Sequence, residues 1–135
     1  MKKGSLIVQV DSTTYPGGKL TVEAYFPVPG LAVHRYVSPD PRLLERSKRW
    51  RKWTISHVSS GLRVSNKPFK RLGDALLACK MIADLLPWTS SADEINRCSG
   101  YRKKLVLLIV WYAIDGYSEP EIASLVLESE LKDGT

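Results

Sequence analysis

Few side chains in this 135-residue chain are suited to chemistry: two histidines, two cysteines and a dense run of cations. A histidine next to a hydroxyl can pass a proton to or from a reacting group. "ISHVS" around His57 has the apolar-x-His-x-Ser form of half a two-histidine phosphoesterase. The other half would repeat that form around His34, which reads "AVHRY" and lacks the hydroxyl. His57 therefore reads as a packed or half-exposed structural residue. Cys79 and Cys98 have no CxxC spacing and no neighbouring ligand pair, so neither a metal site nor a disulfide framework is expected. GxSxG, Walker and GxGxxG motifs are absent. "YPGGK" joins two strand-like runs instead of opening a helix, so it makes a poor phosphate cradle. The expectation is a non-enzymatic protein with no catalytic residue, no metal and no cofactor.

The cations are unevenly placed. Residues 42–71 carry ten Lys and Arg against Glu45 alone, whereas residues 72–135 carry six cations and ten anions. Within the basic stretch, "RSKRWRKW" puts Arg46, Lys48, Arg49, Arg51 and Lys52 beside Trp50 and Trp53. Clustered Lys and Arg supply phosphate contacts, and an indole offers a face for a base to stack on. Trp and Arg are also the residues most enriched at protein-interface hot spots.

Elements that would position these residues follow from periodicity. "SLIVQV" and "KLTVEAYF" alternate, with Leu6, Val8 and Val10 on one face of the first and Leu20, Val22, Ala24 and Phe26 on one face of the second. "LAVHRYV" is a third candidate strand, and "SPDPRLLERSKR" reads as a turn with a short helical piece. The next two runs form a hairpin in which Ile55 lies opposite Val64, His57 opposite Leu62 and Trp53 opposite Asn66, joined by "VSSG". That register puts Trp53, Ile55, Leu62 and Val64 inward. It puts Lys52, Thr54, Ser56, Arg63, Ser65 and Lys67 on a polar outer face.

Beyond Phe69 the period becomes helical. "RLGDALLACKMIADLL" runs to Pro87, Ser91 with Glu94 caps a second helix, and Gly100 separates it from an apolar helix over 101–115, expected to be buried. Gly116 ends that helix, and Ser118 with Glu121 opens the last. The ten-residue run "LVLLIVWYAI" is half the length of a membrane span. The start "MKKGSLIVQVDS" lacks the long apolar core of a secretory signal, so a cytoplasmic protein with reduced thiols is expected. The fold class is α+β: a single domain over 1–135, with an N-terminal antiparallel sheet of about five strands in a β-rich part over 1–69 and three or four helices in a helical part over 70–131.

"RWRKWTISHVSSGLRVSNKPFKRLGDALLAC" resembles the DNA-binding module of ethylene-response factors and the arm-binding domain of phage integrases. Trp50 and Trp53, Gly61, Arg63 and Val64, Phe69 and Ala75 fall in matching order over residues 49–83. Pro68 and the opening "KRLGDA" depart from that pattern. The resemblance implies a sheet whose outer face lies on DNA, with Arg49, Arg51, Lys52, Arg63 and Lys67 meeting phosphates or base edges and Thr54 and Ser56 as neutral donors. "DGYSEPEIASLVLES" is similar to the turn and first helix of helix-turn-helix regulators, but residues 115–135 hold six acids and one lysine, which phosphates would repel. A packing helix with an acidic outside is expected there.

Two functions follow as expectations. The first is an accessory or regulatory protein binding nucleic acid, DNA in preference to RNA, through the basic hairpin face. Its partner-facing residues would be Arg46, Lys48, Arg49, Trp50, Arg51, Lys52, Thr54, Ser56, Arg63, Ser65 and Lys67. The alternative is a phage or mobile-element protein that modulates or inhibits a nucleic-acid machine, an RNA polymerase or a defence nuclease, by protein contacts. Neither involves a membrane.

Overall fold

The computed structural model describes residues 2–9, 16–36, 52–65 and 67–133. The alternating runs form β1 (Lys2–Gln9), β2 (Lys19–Val28), β3 (Leu31–Arg35) and β4 (Trp53–His57), antiparallel and in the order β1-β2-β3-β4. Pro16–Gly18 forms a 3-10 turn ahead of β2, with Gly17 and Gly18 at positive φ. Leu6 opposite Val22 and Val8 opposite Leu20 place the apolar residues of the first two strands on one face, as the alternation predicts.

A β-bulge then changes which face the chain serves. The register of β2 against β3 shifts between Tyr25 and Val28, the stretch that holds Pro27, which has no N–H to give a ladder. Before the bulge, Ala24 and Phe26 join Leu6, Val8 and Ala32 in one apolar cluster. After it, Val28 sits opposite Leu31 and packs with the helices in a second cluster. The sheet therefore has a core on each face. β1 also meets the turn that follows β4, where the Gln9 N–H donates to the Gly61 carbonyl at 3.0 Å.

After β4 the chain turns back in the predicted register: Val64 N–H donates to Ile55 O at 2.9 Å, and His57 N–H to Leu62 O at 2.8 Å. Only isolated bridges follow, at Ser56 with Arg63 and at Trp53 with Phe69. Trp53 thus faces Phe69, not Asn66, which lies outside the described residues. Pro68 cannot donate to the ladder, and burial of Phe69 draws the chain back to β4 three residues late. The described sheet has four strands where about five were expected.

Four helices follow: α1 (Leu72–Ile82), α2 (Ala92–Asn96), α3 (Gly100–Ile114) and α4 (Glu119–Asp133). Ser91 caps α2, Ser99 caps α3, and Ser118 with Glu121 forms the reciprocal capping box of α4. Gly116 at φ +89° closes α3, with Gly116 N–H on Ala113 O and Tyr117 N–H on Tyr112 O. α1 stops at Ile82, short of Pro87, because the Trp88 indole N–H takes the Ile82 carbonyl at 2.8 Å. α1 packs across β2, β3 and β4 and against α3, which in turn packs on α4. No helix among the described residues is long and apolar enough to cross a membrane. α3, expected to be buried, keeps Leu107 and Trp111 exposed because only its Val106–Val110–Ala113 side meets neighbours.

One end of the sheet is joined to the helices by His57. Its Nε2–H donates to Trp88 O at 2.8 Å and Ser90 O at 2.9 Å, while Nδ1 accepts from the Ser60 hydroxyl at 2.8 Å. Carbonyls only accept, so Nε2 carries the proton. Beside this junction the β2–β3 turn passes so close to the helical connection that a Cβ on Gly30, at φ +85°, would lie 2.3 Å from the Trp88 carbonyl carbon. Gly17, also at positive φ, has open space around it. Gly17→Ala should therefore cost about 1 kcal/mol for the left-handed backbone alone. Gly30→Ala should cost more than about 3 kcal/mol, since strain and backbone overlap add. Urea denaturation of the two variants measures the difference.

Candidate nucleic-acid interface

The sequence-predicted interface residues separate into three groups. Arg46, Lys48, Arg49, Trp50 and Arg51 lie outside the described residues. Lys52, Arg63, Ser65 and Lys67 are at the surface, either half-exposed or exposed. Thr54 and Ser56, expected to face outward, are buried at 2% and 0% exposure. The reason is the second core: their face of β4 adjoins Ala32 and His34 of β3, and it continues into the Leu6–Val8–Ala24 cluster. Leu62 departs in the opposite sense. Expected inward, it stands 51% exposed beyond the tight turn at Gly61. Trp53 is half-buried against the helical core, with the Arg35 guanidinium 4.0 Å above its ring.

Ser56 is committed to an internal partner. Its hydroxyl donates to His34 Nε2 at 2.8 Å, and His34 Nδ1–H donates to the Arg35 carbonyl at 2.8 Å. Burial holds the His34 imidazole below its ordinary value of 6.5. The hydrogen bond to Arg35 O opposes that shift, and the nearby Arg63 charge adds to it. His34 is a neutral hydrogen-bond relay inside the sheet. With His57 engaged at the sheet–helix junction, both histidines serve packing.

The cations that remain outside gather at the start of α1. Lys52, Lys67, Lys70 and Arg71 line a pocket of about 360 Å³, faced by Asp74 and Asp115. Lys67 and Asp115 approach to 3.9 Å, both well exposed, so the pairing is loose. β4 supplies Lys52 just ahead of Trp53, and the return to Phe69 supplies Lys67 and Lys70. Arg71 occupies the cap position of α1 in an extended conformation and makes no side-chain cap. Gly73, in the first turn, has nothing within 4 Å of where a Cβ would stand. Lys70 and Arg71 fall outside the sequence-predicted set, although "KPFKR" carries them directly after Lys67. The visible signal was two cations where a helix start ordinarily bears Ser, Thr, Asp or Asn.

Among the described residues no group of three or more His, Cys, Asp or Glu is placed to hold a metal ion. No protein-family model, curated protein or solved structure matches the chain.

The His34 environment gives a pH dependence whose sign is fixed. The folded imidazole titrates below its ordinary value of 6.5, so as pH falls below 6.5 the unfolded chain takes up a proton that the folded one refuses. His34's contribution is fully present above pH 6.5 and is lost as pH falls toward the folded value. His34→Gln should cost about 1–2 kcal/mol at pH 7.5 through imperfect replacement of two hydrogen bonds. The gap between the parent and that variant should narrow as pH falls below 6.5, measured by urea unfolding across pH.

Proposed function

We propose that the protein is a non-enzymatic accessory factor that grips the phosphate backbone of nucleic acid with Lys52, Arg63, Lys67, Lys70 and Arg71. The observation that carries this reading is the convergence of four of these cations on one pocket at the uncapped start of α1. Phosphate contacts provide most of the sequence-independent affinity for nucleic acid, and they require Lys and Arg on one continuous surface.

The placement is only partly compensated in the free protein, by Asp74 in the first turn of α1 and Asp115 across the pocket. A helix N-terminus carries partial positive charge, so each adjacent cation costs roughly 0.3–1 kcal/mol where an anion would stabilise. A phosphate in the pocket reverses that sign, because it meets the ammonium and guanidinium groups together. Lys52 also continues in sequence from Arg51, Arg49, Lys48 and Arg46, which extends the same cationic tract. Thr54 and Ser56 have no part in this surface because they are inside the sheet.

Fluorescence anisotropy with labelled duplex DNA, single-stranded DNA and RNA tests the reading. The affinity should fall steeply with salt, by about 0.9 log units per log unit of salt for each duplex phosphate engaged. Lys67→Glu with Lys70→Glu should weaken binding by at least about tenfold and flatten that slope. Lys2→Glu with Arg97→Glu changes the net charge equally on other elements and should leave the affinity within about threefold. Absence of binding at low salt, or equal effects of the two pairs, overturns the proposal.

A further inference from the structure

A second concavity lies on the far side of the hairpin return. It is a groove of about 290 Å³ between the β4 turn and the α2–α3 corner. Its walls are mainly apolar: Leu62 and Val64 from the turn, Leu86 from the helical connection, Ile95 from α2, and Val106 and Leu107 from α3. Arg63 and Lys103 are its two charged side chains, and its lining holds no acid. Lys103 is already positioned, since its Nζ donates to the Asn96 carbonyl at 3.0 Å, which leaves ammonium donors for another partner. The apolar surface continues out of the groove along α3, where Leu107 is 47% and Trp111 58% exposed, one turn apart.

An occupant must therefore present an apolar side chain flanked by carboxylates. This chain carries that combination on α4. Ile122 and Val126 pack inward there, while Leu127 stands 57% exposed with the exposed Glu128 next to it in sequence. Leu127 belongs to neither apolar core cluster of the described residues. Charge sign and apolar character match on both sides: a basic apolar groove and an acidic helix with one apolar anchor.

We propose that the groove receives the Leu127–Glu128 face of α4 from a second copy of this chain, with Leu127 against Leu62 and Leu107 and Glu128 against Lys103. Each copy has one groove and one α4, so a two-fold arrangement uses both contacts twice and closes as a dimer. The groove shares Arg63 with the nucleic-acid reading, but the contacts tested here, Lys103, Leu127 and Glu128, belong to neither the α1 pocket nor its cations.

Sedimentation equilibrium on the full, nuclease-treated chain at low ionic strength tests this. The weight-average mass should rise with concentration from the 15.2 kDa monomer toward twice that value. Leu127→Lys and Lys103→Glu should each raise the dissociation constant at least about tenfold, equivalent to about 1.4 kcal/mol. Lys103→Glu combined with Glu128→Lys should recover most of the loss. Thermal unfolding matched to the parent establishes that each variant is folded, and the charge-exchanged pair separates a lost contact from a damaged fold. A monomer at every concentration overturns the proposal. So does a dimer that neither single change weakens, or one that the exchanged pair fails to restore. A monomer that instead binds an added acidic amphipathic peptide assigns the groove to a foreign partner and overturns self-association.

Discussion

The arrangement of this protein depends on one imidazole. His57 ends β4, and its Nε2–H is shared between the carbonyls of Trp88 and Ser90, which lie on the connection between α1 and α2. Trp88 in turn closes α1 through its indole N–H on Ile82 O, and its backbone rests against Gly30 in the β2–β3 turn. That buried side chain ties the end of β4 to the connection between α1 and α2, beside the apolar core that packs the helices on the sheet. Leaving those two carbonyls without a donor would cost about 1–3 kcal/mol each, comparable to the free energy that separates a folded domain from an unstable one. The histidine that most suggested chemistry has both ring nitrogens in internal hydrogen bonds.

The second constraint is that the sheet is buried on both faces. The bulge at Tyr25–Val28 lets β2 serve one core with Ala24 and Phe26 and the other with Val28. Contact of Gln9 with Gly61 joins β1 to the turn that follows β4, and Gly61 cannot be replaced cheaply because a Cβ would stand 2.8 Å from the Ile7 carbonyl oxygen. Polar residues of β4 are consequently spent on internal hydrogen bonding, with Ser56 held by His34. Cationic side chains cannot be accommodated that way, so they collect where the sheet ends: at Lys52, along the hairpin return and at the entry to α1. The candidate interface is a margin of the sheet and not its face.

Local pattern made much of this legible. The strand alternation, the 55–64 hairpin register, the helix caps at Ser91 and Ser118 and the stop at Gly116 each depend on residues within one or two turns of one another. What could not be read depends on distant partners. Thr54 and Ser56 look solvent-facing because their own strand alternates, and the residues that cover them come from β1, β2 and β3. Exposure of Leu107 and Trp111 is hidden for the converse reason, since the ten-residue apolar run of α3 carries no sign of which side is left uncovered. Lys70 and Arg71 were visible as letters, but only the helix boundary at Leu72 gives their position meaning.

Helix-end electrostatics bring the two candidate surfaces under one rule. α2 and α4 carry acids in their first turns, and Lys80 near the end of α1 pairs at 3.4 Å with Glu119 at the start of α4, the signs that helix dipoles favour. One helix start breaks that rule: α3 opens with Arg102 and Lys103 behind its Ser99 cap and has no acid in its first turn. α1 keeps Asp74 in its first turn, although Lys70 and Arg71 precede it and no side chain caps it. The start of α3 borders the basic apolar groove, and that of α1 borders the cationic pocket. At both places cations stand at the positive end of a helix, and an incoming negative group turns such cations from a cost into a stabilisation.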